Sequence, residues 1–208
     1  MELKSPQAFR FQFPADTLKE FYCGEFPQGF APSRPVSRVN YESYEPSLVT
    51  VDLCKMLDWL HSEEKPRDFE NEICQIPILL YVSDFSLKHL LFHYDGTQSS
   101  ADLIRKFIRL FGNLIGDSMA TIISPCFIVK SKLREEQEII QLVSQSTQET
   151  SFIKFNFLKI GDFWSYGVKH DCTLLITAKN YQADLAKVLF YFYRGKIWSN
   201  RLSFYLSV

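Results

Sequence analysis

The chain is short of the loops that cradle phosphate. Its eight glycines are scattered over 208 residues, and neither GxxxxGKS/T nor a GxGxxG opening a helix after a strand occurs, which excludes the usual nucleotide motifs. The nucleophile elbow GxSxG is also missing, which removes the simplest hydrolase. The five cysteines (Cys23, Cys54, Cys74, Cys126, Cys172) are odd in number and form no CxxC pair. Reduced thiols in a cytoplasmic or nuclear compartment fit this better than a disulfide framework. No uncharged apolar run reaches the roughly 18 to 20 residues that span a bilayer. The start, Met-Glu-Leu-Lys-Ser-Pro, lacks the pattern of a secretory signal. Neither a membrane nor a cofactor is therefore expected as a partner.

What is present is a large apolar and aromatic content, unevenly placed. Residues 1–68 hold seven of the nine prolines together with Phe9, Phe11, Phe13, Phe21, Phe26 and Phe30. Proline removes amide donors, while phenylalanine wants burial, so this leader is expected to be irregular yet adherent. Phe9–Phe13 alternates as a short strand does, and Asp16–Tyr22 has room for two helical turns. We divide the chain into an aromatic, proline-rich arm over residues 1–46, packed on an α/β body over residues 47–208.

The plainest element of the body is Ser99–Asp117. Leu103, Ile104, Phe107, Ile108, Phe111, Leu114 and Ile115 recur at helical spacing. Ser99 with Asp102 reads as a capping pair, after the turn signal Asp95-Gly96. Ser47 is placed to cap a helix bearing Val49, Leu53, Met56, Leu57 and Leu60. Ile73–Ser83 and Thr121–Lys130 read as buried strands, each interrupted by a proline (Pro77, Pro125). Asp84–Tyr94 has room for a short helix or a second strand, and Leu87, Leu90, Leu91 and Tyr94 favour the helix. Lys132–Gln145 is an amphipathic helix, Ser151–Ile160 a strand, Gly161–Asp171 a turn region and Cys172–Ala178 a strand. A helix capped by Asn180 follows, ending at Gly195. Arg201–Val208 alternates strictly and should be a half-buried final strand. The expected fold is α/β (or α+β): one domain with a mixed sheet of five or six strands and helices packed on it.

Candidate chemistry is sparse. His89 and His93 are four apart, so a helix there would let them share a metal. Asp84 or Asp95 could add a carboxylate, but the glutamate of HExxH is missing and no metal site is assigned. His89 or Cys172 could serve a hydrolase or transferase, although the neighbours His170, Asp171 and Cys172 on a strand would point to opposite faces. Residues 151–208 carry eight Lys or Arg against three Asp, a balance of +5, leaving −6 on the rest. Lys154, Lys159, Lys169, Arg194 and Lys196 with the rings of Trp164 and Tyr166 could therefore bind nucleic acid, or serve a metal-dependent nuclease. The reading favoured by the sequence is a non-enzymatic domain that binds another protein, as a regulatory subunit or an antagonist of a larger host complex. Phe21, Tyr22, Phe26 and Phe30, on proline-bounded loops, are the expected anchors.

Overall fold

The computed structural model describes residues 18–22, 24–28, 30, 46–61, 76–157, 159–194 and 201–208. Eight strands form one mixed sheet: β1 (Leu18–Phe21), β2 (Leu48–Asp52), β3 (Ile78–Tyr81), β4 (His89–His93), β5 (Met119–Ser124), β6 (Glu149–Lys154), β7 (Leu174–Ala178) and β8 (Ser203–Ser207). Their order across the sheet is β1-β2-β3-β8-β7-β4-β5-β6. Five described helices pack on it: α1 (Leu53–His61), α2 (Gln98–Phe111), α3 (Leu133–Ser146), α4 (Ile160–Lys169) and α5 (Gln182–Arg194). The sheet is thus wider than the five or six strands expected, because the leader supplies β1 and the Ser47–Leu60 segment divides into β2 and α1.

β4 to β8 are mutually parallel, in the spatial order β8-β7-β4-β5-β6. The chain starts this block in the middle, winds outward through β5 and β6, then returns to the other side of β4 for β7 and β8. That reversal gives the doubly wound arrangement, with its switch point between the carboxyl ends of β4 and β7. Beyond β8, β3 is antiparallel to it, β2 is parallel to β3 and β1 is antiparallel to β2.

Both faces of the sheet are covered. Leu90, Phe92, Leu174, Ile176 and Tyr205 face Leu103, Phe107 and Phe111 of α2 and Ile139 and Val143 of α3. Leu91, Leu175, Phe204 and Leu206 face α1, α4 and α5 through Leu57, Trp164, Leu185 and Leu189. Double coverage explains why Leu90, Leu91 and Phe92 form an apolar run instead of an alternation. It also explains β8: the expected half-buried strand is buried at every position, Ser203, Tyr205 and Ser207 included.

Several elements differ from expectation for physical reasons. His89–His93 is a strand, since a short apolar run bounded by turns suits a central parallel strand as well as a helix, and length decides. Gly161–Asp171 is mostly α4; its rings face inward at helical spacing, and Gly167 lets the helix approach Leu202 and Leu91. β6 and β7, consecutive in the chain, are separated in the sheet by β5 and β4. Leu18–Phe21 is extended instead of helical and pairs with β2. α2 begins one residue before Ser99, with Thr97 accepting from the Ser100 amide at 3.2 Å as its cap. Asp102 instead binds Arg105 at 2.9 Å. The Phe9–Phe13 strand lies outside the described residues. Among the described residues no helix is long and apolar enough to cross a membrane. Cys54, Cys126 and Cys172 are free thiols.

Candidate functional site

Ligands of doubly wound sheets sit in the crevice at the switch point, outside the carboxyl ends of the strands. Here that crevice is filled by the protein itself. His93, the last residue of β4, lies with its ring centroid 4.0 Å from Phe163 of α4 and 5.0 Å from Tyr181, which follows β7. Its Nδ1 is 3.0 Å from Thr177 Oγ1. Burial lowers the His93 pKa to about 4, against the opposing pull of Asp95, so the imidazole is neutral at physiological pH. On the other side, Ile128 presses on Gly96, its Cδ1 3.3 Å from where a Cβ would stand. Gly96 has φ +81°, a conformation that side chains other than glycine's resist.

The loop into α2 is closed on itself. The Asp95 carboxylate accepts from the Thr97 amide at 2.9 Å and from the Thr97 hydroxyl at 2.6 Å. Burial pushes the Asp95 carboxyl up, but hydrogen bonds from Ser100 and Thr97 outweigh it and hold the pKa below the usual value. The Thr97 amide and hydroxyl and the Ser100 amide are thus engaged within the loop. Next to this loop, Glu136 of α3 is buried and accepts from Ser124 Oγ at 2.5 Å. Lys154 Nζ also pairs with Glu136 and lies 3.3 Å from Ser124 Oγ, which ties α3 to the ends of β5 and β6.

The same end of the sheet carries an exposed apolar apex. Phe127 is 89% exposed, Val129 68% and Phe155 54%. Phe127 and Val129 follow β5, and Phe155 follows β6. Two hydrogen bonds join these loops: the Phe155 amide donates to the Ser124 carbonyl at 2.8 Å, and the Cys126 amide to Asn156 Oδ1 at 2.9 Å. Phe155 packs at a tilt against Phe157 (4.7 Å), which meets Phe163 (5.0 Å) and so joins the ring set around His93. Lys130 and Lys159, exposed, flank the apex in sequence. Sequence reasoning missed it because Thr121–Lys130 reads as one buried strand. Pro125 was the available signal: it ends the ladder and leaves Phe127 and Val129 beyond it.

The residues singled out from the sequence fall elsewhere. Phe21 and Phe26 are buried, and Phe30 packs partly buried against the same core. The anchor expectation is therefore corrected for these rings, which meet Phe111, Tyr81 and Phe85 of their own chain. Tyr22 is half-buried and its hydroxyl donates to Glu20 at 2.7 Å. Trp164 is buried in the core under α4 and cannot stack on a base, and Tyr166 stacks on His170 at 4.1 Å. Lys154 is engaged by Glu136, whereas Lys159 and Lys169 are exposed, on α4 or at its start. Arg194 ends α5, and Lys196 lies outside the described residues.

His89 and Cys172 both lie at the amino-terminal ends of β4 and β7, opposite the switch point. The His89 and Thr173 backbones are bonded there, Thr173 N–H to the His89 carbonyl at 2.8 Å. Burial and then Asp171 push the Cys172 thiol up to about 12. It is therefore a protonated thiol in the core, unsuited to nucleophilic work. On a strand, His89 and His93 are roughly 13 Å apart, so the shared-metal geometry is lost. Among the described residues no group of three His, Cys, Asp or Glu side chains is placed to hold a metal.

No family model matches the chain, and no curated protein matches it. Among solved structures, the crystal structure of protein Rv1636 from Mycobacterium tuberculosis H37Rv is similar over 42% of this chain and 68% of its own, at 12% identity and a TM-score of 0.33. A likeness that low carries no argument about this protein.

Proposed function

We propose that the protein is a non-catalytic interaction domain that meets another protein through the apex of Phe127, Val129 and Phe155. The observation that supports this reading best is the exposure of three large apolar side chains on two hydrogen-bonded loops at one end of the sheet. Isolated apolar residues on a surface are ordinary, whereas grouped ones held in fixed positions are the usual form of an interface anchor. The filled crevice supports the same reading: His93, Phe163, Tyr181 and Ile128 occupy the space where a small ligand would sit. Trp164 is buried and Lys154, though exposed, is paired with Glu136, so the nucleic-acid reading loses its central ring and one of its cations.

A photo-crosslinking phenylalanine analogue at position 127 or 155, in cells expressing the full chain, tests this. One protein species should be captured at both positions and not at Tyr191, which is also exposed but lies on α5. Equal capture at all three positions, or none at 127 and 155, would refute it. The same protein should show no thermal shift with mononucleotides or dinucleotides. A clear shift would show that the crevice opens to a ligand.

A further inference from the structure

Resting on that reading of the apex, we propose that the segment it receives is acidic and carries apolar side chains of its own. The argument is the charge left around the three apolar residues. Lys130 directly follows Val129, and Lys159 stands four residues after Phe155 at the start of α4; both are exposed. The acids nearest these lysines have partners within the chain. Glu135 binds Lys132 at 3.0 Å and lies 3.8 Å from Arg105. Glu136 is buried against Ser124 and Lys154. The Asp162 carboxylate is exposed and accepts from the Lys159 backbone amide at 3.1 Å at the start of α4. The apex therefore offers apolar anchors with two exposed lysines next to them in sequence, and complementarity calls for carboxylates beside an apolar insert.

A second copy of the chain fits less well. A two-fold contact brings the same patch of both copies together, so the lysines of each copy would face those of the other and repel them. Fixed anchors also suit a shaped partner: the loops are held by backbone and side-chain hydrogen bonds, and Phe155 is backed by Phe157.

The test is selection from a random dodecapeptide display library on the immobilised full chain, on K130E/K159E and on F127S/V129S/F155S. All substituted positions are exposed, and a circular dichroism melt of each variant checks that it folds. Peptides enriched on the unsubstituted protein should be net negative with at least a pair of apolar residues. A synthetic peptide of that selected sequence should bind K130E/K159E about tenfold more weakly, and its affinity should fall as salt rises. The selection on K130E/K159E should turn towards basic peptides. Neutral or basic peptides on the unsubstituted protein, or no enrichment at all, would overturn the proposal. So would preferential co-sedimentation with phosphatidylserine–phosphatidylcholine vesicles, or a dimer in sedimentation equilibrium abolished by F127S/V129S/F155S. If enrichment depends on the apex but not on the lysines, only the acidic character of the partner fails. If F127S/V129S/F155S enriches the same peptides as the unsubstituted protein, the interaction reading itself fails.

Discussion

His93 should make the fold sensitive to mild acid by an amount that can be worked out. Its folded pKa of about 4 compares with 6.5 for an unburied imidazole. The unfolded chain therefore binds this proton more readily than the folded one. Burying a neutral His93 costs nothing extra above the unfolded pKa, and the penalty grows as pH falls from 6.5 towards 4. At roughly 1.4 kcal/mol per pH unit, the loss between pH 7 and pH 4 comes to about 3 kcal/mol. Asp95 is lost over an acidic range as well, because its carboxyl is held below the usual value, so a single acid titration does not isolate the histidine. His93→Phe does, since it keeps a ring against Phe163 and Tyr181 but cannot titrate. At pH 7 the variant should be less stable by about 1–2 kcal/mol, the cost of leaving the buried Thr177 hydroxyl without its partner. Towards pH 4 the order should reverse. Urea unfolding of both proteins across this range reads the difference directly, and a difference independent of pH would refute the placement of His93 as a neutral, enclosed imidazole.

Three further outcomes follow from the packing. Phe26→Ala should cost about 3–5 kcal/mol in urea unfolding, because the ring is only 1% exposed and stacks on Phe111 at 4.5 Å; a change below about 1 kcal/mol would mean that Phe26 is a surface anchor after all. Lys154→Met should cost about 2–3 kcal/mol by leaving Glu136 buried without its cation, and Glu136→Gln in the same protein should recover part of the loss; the double-mutant cycle measures the coupling. Gly96→Ala should lower stability by about 1–2 kcal/mol for its positive φ, with an additional cost from Ile128, read from thermal melts of the variant.

The parts of the fold legible in the sequence were those where local pattern and tertiary role agree. α2 shows its stripe because Leu103, Phe107 and Phe111 face the sheet while Arg105 and Arg109 face outward, and α3 is equally plain. The β7 segment is legible as a short apolar run and the β8 segment by its alternation. What failed was whatever depended on distant partners. His89–His93 has the composition of either element, and only its parallel neighbours β5 and β7 make it a strand. α4 was hidden by aromatic residues that look like loop anchors until their inward face is seen. The leader misled most: proline-bounded phenylalanines read as surplus, yet Phe26 donates its amide to the Leu110 carbonyl at 2.6 Å and its ring completes the packing around Phe111. No local rule separates a ring that closes its own core from one that waits for a partner.

The candidate site shows the same principle from the opposite side. Phe127 and Phe155 were assigned to strand interiors, where alternating apolar residues belong, but each lies past the end of its ladder and projects from a loop. Phe155 stands at the outer end of a row of rings that begins beside His93. Phe163 takes the space beside His93, Phe157 packs behind it, and Phe155 is the next ring in that row. A smaller residue at 163 would leave room for Phe157, and in turn Phe155, to move inward and shorten the apex. The packing beside His93 and the position of Phe155 are thus linked through one row of rings, so a change at Phe163 should be felt at Phe155.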